Sequence, residues 1–266
     1  MDLGAPITSK SNARVKALRA ALSGKAAKPG DLLGLEGEHL LVEAMRSGLE
    51  FETVFVRAGS ERVLERPALH GLKARQMVLL SADVFASAVE TESPQGIAAA
   101  VVIPEQDLGH SPGQSGLVLV LEGLQDPGNL GTLLRSAEAF GASFVMMTPE
   151  TVNPWNPKVV RASAGSVFRM PVVRAPLAEI RRRLTALGLR MFAMVTPRDI
   201  ASPLMETYLG APCAVMIGNE GAGLSAEAIA IADALVTIPC AIESLNAAVA
   251  GSVMLYEAMR QRSAKP

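Results

Sequence analysis

Three segments of the chain hold the polar side chains that could do chemistry. They are DPGNLGTLLR, from Asp126 to Arg135, GNEGAGLS, from Gly218 to Ser225, and PCAIESLNAAVAG, from Pro239 to Gly251. Each combines small residues with one to three Asn, Glu or Ser side chains, and the first adds an arginine. Small residues let a ligand approach the backbone, and a few polar groups fix the ligand's orientation. We therefore predict a ligand site formed by these three segments, with Asn129 and Arg135 as its first candidate side chains.

Each segment follows an apolar run, and the apolar runs alternate with helical patterns. The runs are Leu117–Leu121, Phe144–Met147, Met191–Val195, Cys213–Ile217 and Leu235–Ile238, and the main predicted helices are Leu130–Phe140, Leu177–Leu187, Ala226–Ala232 and Leu245–Arg260. Near-continuous apolar strands separated by helices indicate an α/β fold whose parallel sheet is covered on both faces. In such sheets ligands bind outside the carboxyl ends of the strands, which is where the three segments fall.

A stretch rich in Pro, Gly and Ser, PEQDLGHSPGQSG, predicts a linker over residues 104–116. Upstream, helical patterns at Asn12–Leu22, Glu38–Met45 and Glu61–Leu69 alternate with apolar runs at Asp31–Leu35, Thr53–Val56, Met77–Leu79 and Ile97–Val102. This alternation predicts a small α/β domain over residues 1–103, ahead of a second domain over residues 117–266.

The composition narrows the class of protein. Of the 266 residues 49% are hydrophobic and 19% are charged, which is typical of a globular rather than a disordered chain. The formal net charge of −1 gives no global basic field for a nucleic acid, although a local patch could still serve. Cys213 and Cys240 lie outside any CxxC spacing, and no apolar run approaches about 18 residues. We expect a cytoplasmic protein with no metal site and no membrane span.

Each segment also has a purely structural interpretation. Asp126–Asn129 could be a turn that caps the following helix, and Ser244–Asn246 could cap another, since Asn is a good helix cap. The glycines of GNEGAGLS match neither the dinucleotide-binding GxGxxG pattern nor the P-loop. Arg135 could pair with Glu138 or Glu122 on a solvated helix face. The position of all three segments at strand ends of one predicted sheet favours a site.

Taken together, the segments resemble the three motifs of the SpoU/TrmH family of RNA 2′-O-ribose methyltransferases, within the SPOUT superfamily. The resemblance lies in Asn129-x-Gly131-x-x-x-Arg135, in Gly218-x-Glu220-Gly221-x-Gly223-Leu224, in Ile238-Pro239 followed by Ser244-Leu245-Asn246, and in NPKVVRASAGSVFRMPV, from Asn156 to Val172. Upstream, ITSKSNARVKAL, LEGEHLLVEAM and SPQGIAAAV resemble the RNA-binding domain that precedes the catalytic domain in many members. The third motif is shorter than is common in the family and lacks a glycine usual there.

The resemblance implies a fold and a cofactor. The C-terminal domain would be a SPOUT α/β domain with a parallel sheet and a deep trefoil knot, and the N-terminal domain would be a small L30e-like α/β domain. Family members bind S-adenosylmethionine in the knot. By position, Gly218, Ile238 and Leu245 would contribute backbone contacts to this cofactor.

The resemblance also implies catalytic roles. Members are homodimers, and Asn129 and Arg135 would act near the dimer interface. A guanidinium suits bidentate binding of a phosphate, so we expect Arg135 to hold the substrate phosphate rather than to act as the base. Glu220 and Ser244 would orient Arg135, and Asn246 would shape the substrate pocket.

Basic residues near the N-terminus give the predicted RNA-binding surface, Lys10, Arg14, Lys16 and Arg19, because clustered cations can bind phosphates despite a neutral total. A solvated helix face is the alternative. The N-terminal domain resembles that of rRNA-directed members, so 23S-type ribosomal RNA is favoured over tRNA as the substrate. A non-catalytic RNA-binding protein that retains the fold is the rival from another class. The shortened third motif supports that rival, and the joint presence of the motif side chains opposes it.

Overall fold

The structure is a computed structural model that describes residues 3–89, 91, 94–106, 116–197 and 200–263. The contacts within the chain define two compact units, Met1–Glu105 with Trp155–Phe168, and Gln106–Pro154 with Arg169–Pro266. Residues 107–115 of the predicted linker and Ser93 of the SPQGIAAAV stretch lie outside the described residues. The predicted domain boundaries stay a prediction. No sequence pattern indicates that Trp155–Phe168 belongs to the first unit.

Helices and strands alternate along most of the chain. In chain order they are α1 (Ala13–Leu22), β1 (Leu32–Glu36), α2 (Glu38–Arg46), β2 (Phe51–Arg57), β3 (Ala74–Leu80), α3 (Ala82–Ala88), β4 (Ile97–Val102), β5 (Leu117–Leu121), α4 (Pro127–Ala139), β6 (Phe144–Met147), α5 (Pro157–Ala162), β7 (Val172–Arg174), α6 (Leu177–Ala186), β8 (Arg190–Met194), β9 (Ser202–Pro203), β10 (Cys213–Ile217), α7 (Ala226–Ile231), β11 (Ala234–Thr237) and α8 (Ala247–Ser263). Most of the predicted strands and helices are present within one to three residues of their predicted ends.

The first unit is built on a mixed sheet with the strand order β1-β4-β2-β3. β4 pairs antiparallel with β1 and β2, and β2 pairs parallel with β3. Helix α1 begins at Ala13 because Asn12 Oδ1 accepts a hydrogen bond from the Arg14 backbone N–H at 2.9 Å. Its buried residues Val15 and Leu18 recur at helical spacing and pack in a core with Phe55 of β2. The predicted small α/β domain is therefore present.

One predicted helix of the first unit is wrong. Residues Glu61–Leu69 form two short 3-10 turns, Glu61–Glu65 and Pro67–Leu69, instead of one α-helix. Arg66 lies between them with extended backbone angles, φ −66° and ψ 136°. A residue before proline is pushed out of the α region by the proline ring, so Pro67 interrupts the helical pattern.

The second unit is built on a sheet of seven strands in the order β7-β6-β5-β10-β8-β11-β9, all parallel. The predicted parallel sheet is confirmed. Every residue of β5 and β10 is buried, which explains their uninterrupted apolar sequences. These two strands are neighbours in register, with Leu121 opposite Ile217, so the loops that follow them leave the sheet side by side. Strands β7 and β9 were not predicted.

Helix α8 packs closely on helix α4 and on β10. Gly251 of α8 makes this approach possible, because a Cβ atom there would lie 2.4 Å from Leu133 Cδ2 and 3.2 Å from Ile217 Cγ1. Over the described residues, no helix has the length and hydropathy to cross a membrane. The same part of the chain holds no group of three or more His, Cys, Asp and Glu side chains that could bind a metal ion.

Candidate active site

Side chains from all three predicted segments are joined in one series of hydrogen bonds in the second unit. Asn129 Nδ2 donates to Glu220 Oε1 at 3.0 Å, and Asn246 Nδ2 donates to Asn129 Oδ1 at 3.0 Å. The backbone N–H groups of Gln125 and Asp126 also donate to the Glu220 carboxylate, at 3.2 and 3.0 Å. Residues 91 and 117 positions apart therefore meet at one edge of the sheet. We call Glu220, Asn129 and Asn246 the amide relay.

The carboxylate fixes the direction of every hydrogen bond in the amide relay. An ionised Glu can only accept, so the Asn129 atom that faces Glu220 must be the donor Nδ2. Asn129 Oδ1 then accepts from Asn246 Nδ2. Asn246 Oδ1 is left to accept from the backbone N–H groups of Ala248 and Val249 in α8, at 2.9 and 3.2 Å. Both amides are therefore held in one orientation between Glu220 and the N-terminus of α8.

The environment of Glu220 favours its ionised form. Burial by itself would raise the pKa of this carboxyl, but the donors around it outweigh burial and hold the pKa below the ordinary value of 4.5. These donors are the Asn129 side chain and the backbone N–H groups of Asp126, Glu220 and Gln125. A carboxylate with a lowered pKa is a weak proton acceptor at neutral pH. Glu220 therefore suits an orienting role better than the role of a general base.

Further hydrogen bonds tie the second loop to the first. The Glu122 carboxylate accepts from the Ser225 backbone N–H at 2.8 Å and from Ser225 Oγ at 2.6 Å. Asn219 Nδ2 donates to the Gly123 carbonyl at 2.8 Å, while its Oδ1 accepts from the backbone N–H of Gly221 at 2.9 Å. Sequence reasoning missed the roles of Asn219 and Ser225. The Asn-x-Gly pattern was the available signal, because Asn often bonds to the backbone two residues on.

The capping interpretation is also correct for part of the site. Asp126, rather than Asn129, caps α4, since Asp126 Oδ1 accepts from the Asn129 backbone N–H at 2.8 Å. Asn246 caps α8 through the bonds described above. The cap of α4 therefore holds the backbone of Asn129, and the cap of α8 uses the Asn246 side chain itself.

A cavity of about 350 Å³ lies at the carboxyl ends of β8, β10 and β11. The predicted cofactor residues Gly218, Ile238 and Leu245 all line it, together with Glu220 and Ser244. Asn129, Arg135 and Asn246 are not among its lining residues. The amide relay thus reaches the cavity through Glu220, and Asn129 and Asn246 lie outside the cavity wall.

The cavity fits a nucleoside cofactor such as S-adenosylmethionine. Ile217, Leu224 and Ile229 give it an apolar wall that suits a flat purine. At Gly218 a Cβ atom would lie 2.3 Å from the carbonyl carbon of Gly223, so the loop folds back on itself and presents backbone to the cavity. Thr237 adds a buried hydroxyl whose oxygen has no hydrogen-bond partner in the described part of the chain. A ligand group in the cavity could satisfy it.

Arg135 stands apart from the amide relay. Its side chain is exposed and makes no hydrogen bond or ion pair with any described residue. The expected neighbours are engaged elsewhere, Glu138 with Arg169 and Glu122 with Ser225. The expectation that Glu220 and Ser244 orient Arg135 is therefore not met within one chain, because Glu220 orients Asn129 instead. The catalytic role of Arg135 stays a prediction.

The predicted RNA-binding residues lie in the first unit, and the structure separates them into two groups. Lys10, Arg14 and Lys16 are exposed. The Arg19 guanidinium is used inside the unit, since it donates to Ser87 Oγ at 2.8 Å, to the Ser87 carbonyl at 3.2 Å and to the Lys10 carbonyl at 3.1 Å. Arg19 therefore ties α1 to α3 and is the least available of the four for RNA.

Comparisons with known proteins agree with this architecture. Residues 116–256 match the SpoU rRNA Methylase family, and residues 12–99 match the MRM3-like substrate binding domain. A Synechocystis protein named as an uncharacterized tRNA/rRNA methyltransferase is 39% identical over 97% of this chain and 94% of that protein. The 23S rRNA (guanosine(2553)-2′-O)-methyltransferase RlmP of Bacillus subtilis is 33% identical over 94% of this chain and 97% of that protein. The crystal structure of an AdoMet-bound rRNA methyltransferase from Sinorhizobium meliloti has a TM-score of 0.79 at 29% identity, covering 96% of this chain and 97% of that one. The predicted fold class is confirmed.

Proposed function

The chain belongs to the SpoU rRNA methylase family, and from this premise we propose that it transfers the methyl group of S-adenosylmethionine to a ribose 2′-hydroxyl of 23S-type ribosomal RNA. The observation that carries the proposal is the amide relay beside the cavity, in which all three sequence motifs meet. The Bacillus subtilis relative is named for this reaction on a guanosine of 23S rRNA, and the Sinorhizobium meliloti relative holds the cofactor.

In this proposal the chain contributes mainly alignment. When bound, the cofactor would supply an electrophilic methyl group on a sulfonium sulfur. Transfer would break the sulfur–methyl bond, form the bond from carbon to the ribose 2′-oxygen, release S-adenosylhomocysteine and pass the hydroxyl proton to solvent water. Gly218, Ile238 and Leu245 line the cavity and would hold the cofactor through backbone groups. Asn129, held by Glu220 and Asn246, keeps one Nδ2 hydrogen free to position the ribose. Well-aligned reactants can lower such a barrier by about 7–11 kcal/mol.

Arg135 would bind the phosphate next to the reacting ribose. Its exposed guanidinium offers a planar set of donors that matches a phosphate, and no acidic side chain in the described part of the chain occupies it. Because Arg135 makes no hydrogen bond or ion pair with Glu220 or Asn129 among the described residues, we expect it to complete the site of a second copy.

A homodimer would bring Arg135 to a partner's cavity, and helix α8 carries a surface for it. Val249, Val253 and Tyr256 recur at i, i+4 and i+7 and are 50%, 39% and 48% exposed, so they form one apolar stripe. The stripe adjoins α4, where Phe140 contacts Tyr256 edge to face at 5.7 Å between ring centroids. Light scattering should give twice the chain mass, and Val253→Glu should reduce it to one chain.

The first unit would recruit the RNA. Its match to a substrate binding domain and the exposed side chains of Lys10, Arg14 and Lys16 support contact with RNA phosphates. A ribosomal RNA substrate is consistent with the cytoplasmic location expected from the sequence. A tRNA substrate is the alternative within the enzyme class. The name of the Synechocystis relative includes both tRNA and rRNA, which supports this alternative.

Methyl transfer from labelled S-adenosylmethionine tests the proposal. Ribosomal RNA from cells that lack the gene should accept label, and the labelled position should resist alkaline cleavage because its 2′-oxygen is blocked. Label in tRNA alone would select the alternative substrate. RNA binding with no cofactor binding and no label would select the non-catalytic rival.

Substitution of Arg135 is the variant that best separates a catalytic role from a structural one. Arg135→Ala should abolish transfer and leave the cofactor affinity unchanged, since Arg135 does not line the cavity. Arg182→Ala, on the exposed face of α6, is the matched control and should behave as wild type. Loss of both transfer and cofactor binding in Arg135→Ala would make the arginine structural instead.

A further inference from the structure

Thr237 is a buried polar residue to which neither the sequence motifs nor the mechanism above assigns a role. It ends β11, its side chain is only 6% exposed, and it lines the cavity at the strand ends. Its Oγ1 atom is buried and has no hydrogen-bond partner in the described part of the chain. Buried side-chain hydroxyls are nearly always hydrogen-bonded, so an unpaired one beside a ligand cavity indicates a partner on the ligand.

The lining of the cavity indicates which half of the cofactor this partner belongs to. Ile217 and Leu224 of the lining are buried and apolar, whereas its carboxylate, Glu220, lies in an exposed loop. The amino-acid end of S-adenosylmethionine carries an ammonium and a carboxylate, and burying charges without partners is costly. The uncharged adenosine half therefore suits the buried part of the cavity, where Thr237 lies.

We propose that the Thr237 hydroxyl hydrogen-bonds the adenosine half of S-adenosylmethionine and contributes to the affinity of the cofactor site. The inference rests on the proposed function and adds a side-chain contact to the backbone contacts expected from Gly218, Ile238 and Leu245. A hydroxyl can donate or accept, so it can pair with either a ring nitrogen or an amino group.

A pair of variants separates the hydroxyl from the shape of the side chain. Thr237→Val keeps the branched shape and removes the hydroxyl, and Thr237→Ser keeps the hydroxyl. The probes are S-adenosylhomocysteine, which has both halves of the cofactor, and 5′-methylthioadenosine, which lacks the amino-acid end. Calorimetric titration of the full chain gives each affinity without any need for methyl transfer.

Thr237→Val should weaken both probes by the same factor, roughly fivefold, as expected for one neutral hydrogen bond. Thr237→Ser should stay within about twofold of wild type. The ligand-free melting temperature of Thr237→Val should be equal to or above that of wild type, because the variant replaces an unpaired buried hydroxyl with a methyl group. A purely structural hydroxyl would lower the melting temperature on removal.

Cys240 offers a second readout, because it lines the same cavity while Cys213 is buried. S-adenosylhomocysteine should slow alkylation of Cys240 in wild type. Thr237→Val should need roughly fivefold more of it for the same protection.

Each of three results would overturn the inference about Thr237 without affecting the proposed function. The first is that Thr237→Val and wild type bind both probes equally well. The second is that Thr237→Val weakens binding of S-adenosylhomocysteine but not of 5′-methylthioadenosine, and the third is that it weakens binding of both probes and also lowers the melting temperature. Wild-type protein that binds neither probe would overturn the proposed function as well.

Discussion

Replacement of Glu220 by Gln is the most direct test of the amide relay. Glu220 Oε1 accepts from Asn129 Nδ2 and from the Asp126 backbone N–H, and Oε2 accepts from the Gln125 backbone N–H. A Gln side chain has one carbonyl oxygen. If that oxygen keeps the first two donors, the new amide group faces the Gln125 N–H, donor against donor. If the side chain flips, Asn129 loses the acceptor that fixes its orientation.

The expected cost follows from these contacts. Hydrogen bonds to a charged acceptor contribute about 1.5–3 kcal/mol each and neutral ones about 0.5–1.5 kcal/mol, so the variant weakens two bonds and loses a third. Because the Glu220 loop is exposed, solvent replaces part of this loss. We expect Glu220→Gln to lower the free energy of unfolding by about 1–2 kcal/mol at neutral pH. Urea denaturation measures it, and Glu227→Gln, an exposed carboxylate in the first turn of α7, is the control.

The dependence on pH gives an independent check. The pKa of native Glu220 lies below the ordinary value of 4.5, so the carboxylate stabilises the folded state fully above that value. The contribution is lost as the pH falls through the native pKa. The difference in stability between wild type and Glu220→Gln should therefore be constant from pH 7 to about 5 and shrink below about 4.

A double variant shows whether the cost comes from the relay itself. Asn129→Asp alone places two carboxylates within contact and should be more harmful than Glu220→Gln. When both substitutions are combined, the new amide at position 220 can donate to the new carboxylate at position 129, and that carboxylate can still accept from Asn246 Nδ2. The double variant should therefore be more stable than the sum of the single effects, by about 1 kcal/mol. Strict additivity, or a Glu220→Gln variant as stable as its control, would refute the relay.

Other substitutions probe backbone strain in the first unit and helix packing in the second. Gly165→Ala should lower the free energy of unfolding, measured in urea, by about 2–4 kcal/mol, because Gly165 has φ +87° and a Cβ atom there would lie 2.6 Å from Glu43 Cβ. Ala164→Gly, at φ +49°, is the control and should stay within about 0.5 kcal/mol of wild type. Equal effects of the two substitutions would contradict the predicted strain at Gly165. Gly251→Val should lower the melting temperature through about 1–3 kcal/mol of overpacking against Leu133, and an unchanged melting temperature would show that α8 can move away from α4.

Much of the fold could be predicted from the sequence because burial leaves a local pattern. The runs Leu117–Leu121 and Cys213–Ile217 are uninterrupted because both faces of each strand are covered, and their predicted bounds match the structure. Edge strands β7 and β9 have three and two residues and little burial, so no apolar run marks them. The helical pattern at Glu61–Leu69 was misleading because Pro67 overrides it.

The candidate site, like the fold, could be predicted only in part from the sequence. The sequence by itself determined that polar side chains end three strands of a parallel sheet, and therefore that Asn129, Glu220 and Asn246 would gather at one edge. Only the tertiary structure decided which of them touch, because strand order and register choose partners that lie 91 and 117 positions apart in the chain. It also left Arg135 outside that contact and buried the Thr237 hydroxyl without a partner in the described part of the chain. A side chain's burial and hydrogen bonding depend on neighbours that local periodicity does not encode.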